Sequence, residues 1–122
     1  MLGQSTQEIA RDRFSVASTL QAEYGGTVVL KGAGTLVAAQ DGPLQLCCEG
    51  NPGMASGGMG DVLTGIIVGL LAQGIPQARA AAMGVCLHAQ AGDAAAKAAG
   101  ERGLLASDLM SWVRRLANPP VA

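Results

Sequence analysis

The residues best suited to chemistry lie in one run, Asn51-Pro52-Gly53-Met54-Ala55-Ser56-Gly57-Gly58-Met59-Gly60-Asp61, which passes straight into the apolar segment Val62 to Leu71. Glycine leaves the backbone bare, so a ligand can approach it closely. The apolar segment predicts a helix over Asp61 to Gln73, and the first amides of a helix lack intrahelical partners. Gly57, Gly58 and Gly60, at the mouth of that helix, can therefore form an anion hole from main-chain nitrogens, and the helix dipole favours a phosphoryl group there. Asp61, at the same helix end, is placed to accept the proton of a hydroxyl that attacks phosphorus. The same residues also carry a purely structural reading: an acidic residue stabilises a first turn, and glycines often serve only for tight turning. The run is not a Walker loop, because no Gly-Lys-Ser/Thr follows. It is not a dinucleotide fingerprint either, because no buried strand leads directly into it.

The other polar residues read more plainly. Lys31 is a strand-end charge of the kind usually solvated. His88 sits in an alanine-rich stretch with Gly84, Val85, Ala91 and Gly92 three and four residues away, so packing or a backbone hydrogen bond is its expected role. Asp93 and Asp108 read as helix-end or capping groups. Asn51 either orients the loop or touches a ligand. Cys47 and Cys48 would point to opposite faces of a strand, and Cys86 makes the count odd, so reduced, mostly buried thiols are expected and not a disulfide framework or a metal-ligand spacing.

Several elements must position these residues. Ser5 to Tyr24 predicts a helix opened by the capping box Ser5-Thr6-Gln7-Glu8, carrying Ile9, Val16 and Leu20, and ended by Gly25-Gly26. Thr27 to Leu30 has the uninterrupted apolar pattern of a strand buried on both faces. Leu36 to Ala39, the turn signal Asp41-Gly42-Pro43 and Leu44 to Cys48 predict a hairpin. Gly74 should stop the helix that follows the glycine loop, and Pro76 should open the next, which runs to Ala99. Ser107 is the expected N-cap of a last helix through Leu116, before Asn118-Pro119-Pro120.

Composition bounds what this assembly can be. A chain of 122 residues accommodates one core, and 49% hydrophobic against 14% charged residues points to a globular domain and away from disorder. Phe14, Tyr24 and Trp112 are the only aromatics, so aliphatic side chains and close helix packing must make that core. A net charge of -1 supplies no broad basic field, so no nucleic-acid partner is expected. No membrane partner is expected either: Val62 to Ala72 is too short to span a bilayer and is broken by Thr64, Gly65 and Gly69. No charged-then-apolar leader opens the sequence, and the expected location is cytoplasmic.

The stretch from Val28 to Gln73 resembles the ADP- or ATP-dependent NAD(P)H-hydrate dehydratase family closely. The resemblance rests on Leu30-Lys31-Gly32-Ala33-Gly34-Thr35 followed by Asn51-Pro52-Gly53-Met54-Ala55-Ser56-Gly57-Gly58-Met59-Gly60-Asp61-Val62-Leu63, and it continues more loosely through His88-Ala89-Gln90-Ala91-Gly92-Asp93 and Gly103 to Asp108. It implies an α/β, ribokinase-like three-layer fold. This chain would hold only its C-terminal portion, residues 1–122, with few strands, a hairpin and about four helices, and with the N-terminal half absent. The implied reaction is nucleotide-dependent dehydration of NAD(P)HX to NAD(P)H, in which the ring hydroxyl is phosphorylated and phosphate is eliminated. ADP or ATP and Mg²⁺ are the implied cofactors.

Carried onto this chain, the resemblance makes Asp61 the catalytic base and a substrate contact. It makes Lys31, Gly32, Ala33, Gly34, Thr35 and Gly60 nucleotide-binding, and Gly57, Gly58, Met59 and Gly60 the anion hole. Half a domain leaves apolar surface and an open sheet edge, so a homo-oligomer or association with the missing N-terminal half is expected. The competing expectations are a sugar or hydroxymethylpyrimidine kinase of the same superfamily, and a non-catalytic nucleotide-binding remnant.

Overall fold

The computed structural model describes residues 12–120. Its centre is a meander of three short strands, β1 (Val28–Leu30), β2 (Thr35–Ala38) and β3 (Gln45–Cys47), in the order β1-β2-β3 with both pairings antiparallel. The hairpin is present as expected, and Val29 opposite Val37 and Leu36 opposite Leu46 set the register. β1 differs from its expected character: it is half-buried and pairs antiparallel. Its run of apolar residues is explained by helices above and below, since alternate residues serve opposite faces. Val29, Val37 and Cys47 pack with Leu63, Val85 and Ala89 on one side, while Val28, Leu30, Leu36 and Ala38 pack with Ala17 on the other.

The helix on the second face is α1 (Arg13–Tyr24), which buries Val16 and Ala17 and ends at Gly25, where φ is 72°. The chain is non-helical at Asp12, with φ -138°, and the Asp12 carboxylate accepts the Ser15 amide at 3.1 Å. Within the described residues the helix therefore starts at Arg13, because an Asp in this backbone conformation supplies a cap there. Ile9 and the capping box Ser5 to Glu8 lie outside the described residues.

The first face is covered by α2 (Met59–Ala72) and α3 (Gln77–Ala99). Gly74, with φ 86°, donates its amide to the Leu71 carbonyl at 3.0 Å and stops α2 as expected, while Pro76 is the N-cap of α3. The close helix packing expected from so many small residues is real: a Cβ on Gly84 would stand 2.6 Å from Ile67. Beyond them α4 (Leu109–Ala117) closes a second core of Met59, Ala91, Ala95, Leu104 and Leu109. Its entry corrects one expectation, since the Asp108 carboxylate, and not Ser107, takes the free amide there, that of Leu105 at 2.9 Å. The layers are thus helix, sheet and helix pair.

Candidate active site

A cleft of about 590 Å³ opens between the β1–β2 turn and the end of β3, within the range of small-molecule sites, about 300–1,000 Å³. Lys31, Gly32, Ala33, Gly34 and Thr35 form one rim, residues 48–52 the other, and Leu63, Val85 and Ala89 the apolar floor. The first rim is shaped from outside by Arg13 of α1. Its guanidinium donates to the carbonyls of Leu30, Ala33 and Gly34 at 3.0, 2.6 and 2.8 Å, which gathers the turn around one planar group. Gly32, at φ 154°, leaves the space that this guanidinium fills.

The second rim is lashed to α3. Asp93 accepts the Gly50 amide at 3.0 Å and the Asn51 side-chain amide at 2.9 Å, while Asn51 Oδ1 accepts the Gly53 amide at 3.1 Å. Gly53 sits so tightly that a Cβ there would be 2.5 Å from the Glu101 carbonyl oxygen. The Met54 thioether occupies the space where a Gly92 side chain would be, and Ser56 donates to the Leu104 carbonyl at 3.0 Å. The glycine loop is therefore held at four points before it reaches α2.

That helix begins two residues earlier than expected, at Met59, with Gly58 in the left-handed region as N-cap, so Asp61 is its third residue. Gly57, Gly58 and Asp61 are exposed, Gly60 is half-buried and Met59 is buried. Among the described residues, no hydrogen bond takes the amides of Gly57 to Asp61. These five residues lie outside the lining of the cleft. Lys31 connects the two places: it lines the cleft, and its Nζ lies against Gly60, in the space a Cβ would need. Thr64 donates to the Gly60 carbonyl at 2.9 Å from one turn further on.

His88 stands at the back of the cleft beside this junction. Burial pushes its imidazole below the ordinary value of 6.5, the Met59 carbonyl opposes that shift, and the Lys31 ammonium adds to it. Nε2 is buried and has no hydrogen-bond partner among the described residues. Burial likewise raises the Cys47 thiol, which lies beside Cys86. Cys47 is the buried cysteine, whereas Cys48 and Cys86 are exposed, so thiol burial is less general than expected.

The structure thus gathers Lys31 to Thr35 around one cleft and sets the loop and Asp61 beside it, joined through Lys31. Asn51 orients the loop, the first of the two roles left open for it, and it also lines the cleft. Asp93 is not a helix-end group: it lies inside α3, which continues to Ala99, and its carboxylate serves the loop. Arg13 and Asp93 escaped sequence reasoning because their partners are 17 to 21 and 42 to 43 residues away. The one available hint was the pair Gly92-Asp93, a bare position beside a carboxylate. No group of three His, Cys, Asp or Glu suited to a metal occurs among the described residues.

Comparison with known proteins agrees with this geometry. The chain is 60% identical over 119 residues to the bifunctional NAD(P)H-hydrate repair enzyme Nnr of Vibrio cholerae, covering 97% of this chain and 24% of that protein. It is 43% identical to the ADP-dependent (S)-NAD(P)H-hydrate dehydratase of Neisseria meningitidis, covering 97% of this chain and 40% of that one. The crystal structure of the ADP/ATP-dependent NAD(P)H-hydrate dehydratase from Bacillus subtilis, co-crystallised with ATP and Mg²⁺, superposes with a TM-score of 0.90 at 32% identity, over 96% of this chain and 42% of that one. A ribokinase-like superfamily protein of Enterococcus faecalis superposes at 0.76 with 35% identity, over 89% of this chain and 38% of its own length. The chain thus spans about a quarter to under a half of these relatives, within a ribokinase-like α/β fold. With residues 1–115 matching the carbohydrate-kinase family model described as NAD(P)H-hydrate dehydratase, the chain belongs to that family.

Proposed function

We propose that this chain is the nucleotide-binding and catalytic-carboxylate portion of an NAD(P)HX dehydratase, acting in a longer protein or with a separate N-terminal half. The observation that carries the reading is the Lys31 ammonium lying against Gly60, which joins the cleft rim to the mouth of α2. A nucleotide with its base side toward the apolar floor would direct its phosphates to that junction. There Lys31 offsets charge and the amides of Gly57, Gly58, Met59 and Gly60 receive the transferring phosphoryl group. Asp61 accepts the proton of the ring hydroxyl as that oxygen attacks phosphorus; departure of phosphate then restores the reduced ring.

Mg²⁺ fits this donor set, since it keeps several waters and binds through phosphates and one or two carboxylates. Glu49 supplies the one carboxylate among the residues lining the cleft and would hold the ion. When bound, the ion neutralises phosphate charge. None of the helices among the described residues is long and apolar enough to cross a membrane, and we place the protein in the cytoplasm, where NADH and NADPH are used.

The test is recovery of NADH absorbance from NADHX with ADP or ATP, on the full-length protein and its Asp61→Asn variant. Loss of a general base should lower turnover by about 10²–10⁴-fold while nucleotide affinity holds. Turnover equal to the parent's removes Asp61 from the reaction. The shortness of the chain against its relatives favours a second behaviour for the isolated 122 residues, nucleotide binding without turnover.

A further inference from the structure

We infer that Cys47 and Cys86 form a peroxide-responsive dithiol, a reversible modification site that on oxidation bonds the end of β3 to α3 at the root of the cleft's second rim. The strand and the helix run side by side, and two rungs between them are hydrogen bonds. Asp93 accepts the Gly50 amide and the Asn51 side-chain amide, and Gln90 donates to Glu49 at 3.3 Å. Four residues before Gln90 on α3 stands Cys86, and two residues before Glu49 on the extended chain stands Cys47. Those two steps are nearly equal, about 6 Å along a helix and about 6.6 Å along a strand, so the next rung sets the cysteines opposite each other. Packing agrees, because Cys47 shares a core cluster with Val85 and Ala89, one residue before Cys86 and three after it. Ala81 and Ala89 on that helix face leave room for a close approach. Cys86 is also one of the groups that act on the Cys47 thiol.

The two thiols are suited to successive steps. Cys86 is exposed and meets a dissolved oxidant, whereas Cys47 is buried and burial keeps its thiol protonated until a partner forms beside it. The Cys86 thiolate attacks one oxygen of hydrogen peroxide; the O–O bond breaks, and the departing hydroxide takes a proton, leaving a Cys86 sulfenic acid and water. The Cys47 sulfur then attacks the Cys86 sulfur, the S–O bond breaks, and the hydroxide leaves with the Cys47 proton as a second water. Two thiols are oxidised to one disulfide and one peroxide is reduced to two waters. Cys48 is exposed as well, but it faces the α1 side of the sheet, among Phe14, Leu36 and Leu46. The new bond closes a loop that contains the whole glycine run and α2, which restricts the unfolded chain.

The experiment treats the full-length protein, its Cys48→Ser variant and its Cys86→Ser variant with hydrogen peroxide, alkylates the remaining thiols and maps the peptides by mass spectrometry. The parent and Cys48→Ser are expected to yield a peptide joined through Cys47 and Cys86, lighter than its parts by two hydrogens and separated again by dithiothreitol. Oxidation should raise the urea midpoint of the parent by about 0.5–1 M and leave that of Cys86→Ser where it was. Cys86 is exposed, so its replacement by serine leaves the core intact. A peroxide-treated parent without the joined peptide, or with Cys86 joined to Cys48 or to a second molecule, overturns the inference. So does a joined peptide that forms only when urea is present, since the folded protein then keeps the two sulfurs apart.

Discussion

Gly60 and Gly53 are both bare for steric reasons, but what stands opposite each differs, and so do the expected costs of filling them. A Cβ on Gly60 would meet the tip of Lys31, a flexible side chain that can swing away. Since alanine also favours a helix over glycine by about 0.5–1 kcal/mol, Gly60→Ala should leave urea stability unchanged or higher while phosphate and nucleotide affinity fall. A Cβ on Gly53 would meet the Glu101 carbonyl and the Asn51 side chain, at 2.5 and 2.9 Å, and backbone cannot swing away. Gly53→Ala should therefore cost about 1–3 kcal/mol in the same urea titration. The sequence marks both residues as members of one glycine-rich loop; only the neighbour across the gap separates the glycine faced by a movable lysine from the one hemmed in by backbone.

Elements meet the site through two polar clamps, Arg13 on α1 and Asp93 on α3. Arg13→Ala removes three hydrogen bonds from the carbonyls of Leu30, Ala33 and Gly34. Charged hydrogen bonds are worth about 1.5–3 kcal/mol when buried, but this guanidinium is partly in water, so the expected cost is nearer 1 kcal/mol. Amide exchange should quicken across residues 31–35 and stay unchanged in α3; uniform quickening would mean that Arg13 supports the whole fold and not that turn. Asp93→Ala frees the Gly50 amide and the Asn51 side chain together, and should loosen residues 50–54 in the same way. Element identity itself was mostly legible. The hairpin, the stop at Gly74 and the long helix ending at Gly100 follow from turn and cap chemistry written in adjacent residues. The capping role of Asp108 was legible too, but the start of α1 after Asp12 was not, because several nearby polar residues could each have served.

At the scale of the molecule, stability should depend on pH through His88. The folded protein holds its imidazole below the ordinary 6.5, mainly by burial. Between that lowered value and 6.5 the unfolded chain binds more protons, so stability rises with pH across this window, is complete above it and is lost as pH falls through it. The urea midpoint of the parent should fall relative to that of His88→Gln as pH drops through this window; parallel curves would place the dependence elsewhere. Apolar surface also remains outward: Val68 on α2 is 55% exposed and Leu46 on β3 is 48% exposed. Concentration-dependent association of the isolated chain is the expected result in light scattering, and a stable monomer at high concentration counts against it.

By itself the sequence determined the family, the order of elements and the loop with its adjoining carboxylate, since each is carried by neighbouring residues whose backbone preferences are local. The tertiary structure alone decided that Lys31 seats on Gly60, that Asp93 holds Gly50 and that His88 lines the cleft with Lys31. Those contacts join residues distant along the chain, and which of many possible partners meet is settled by how the layers pack, not by the spacing of any motif.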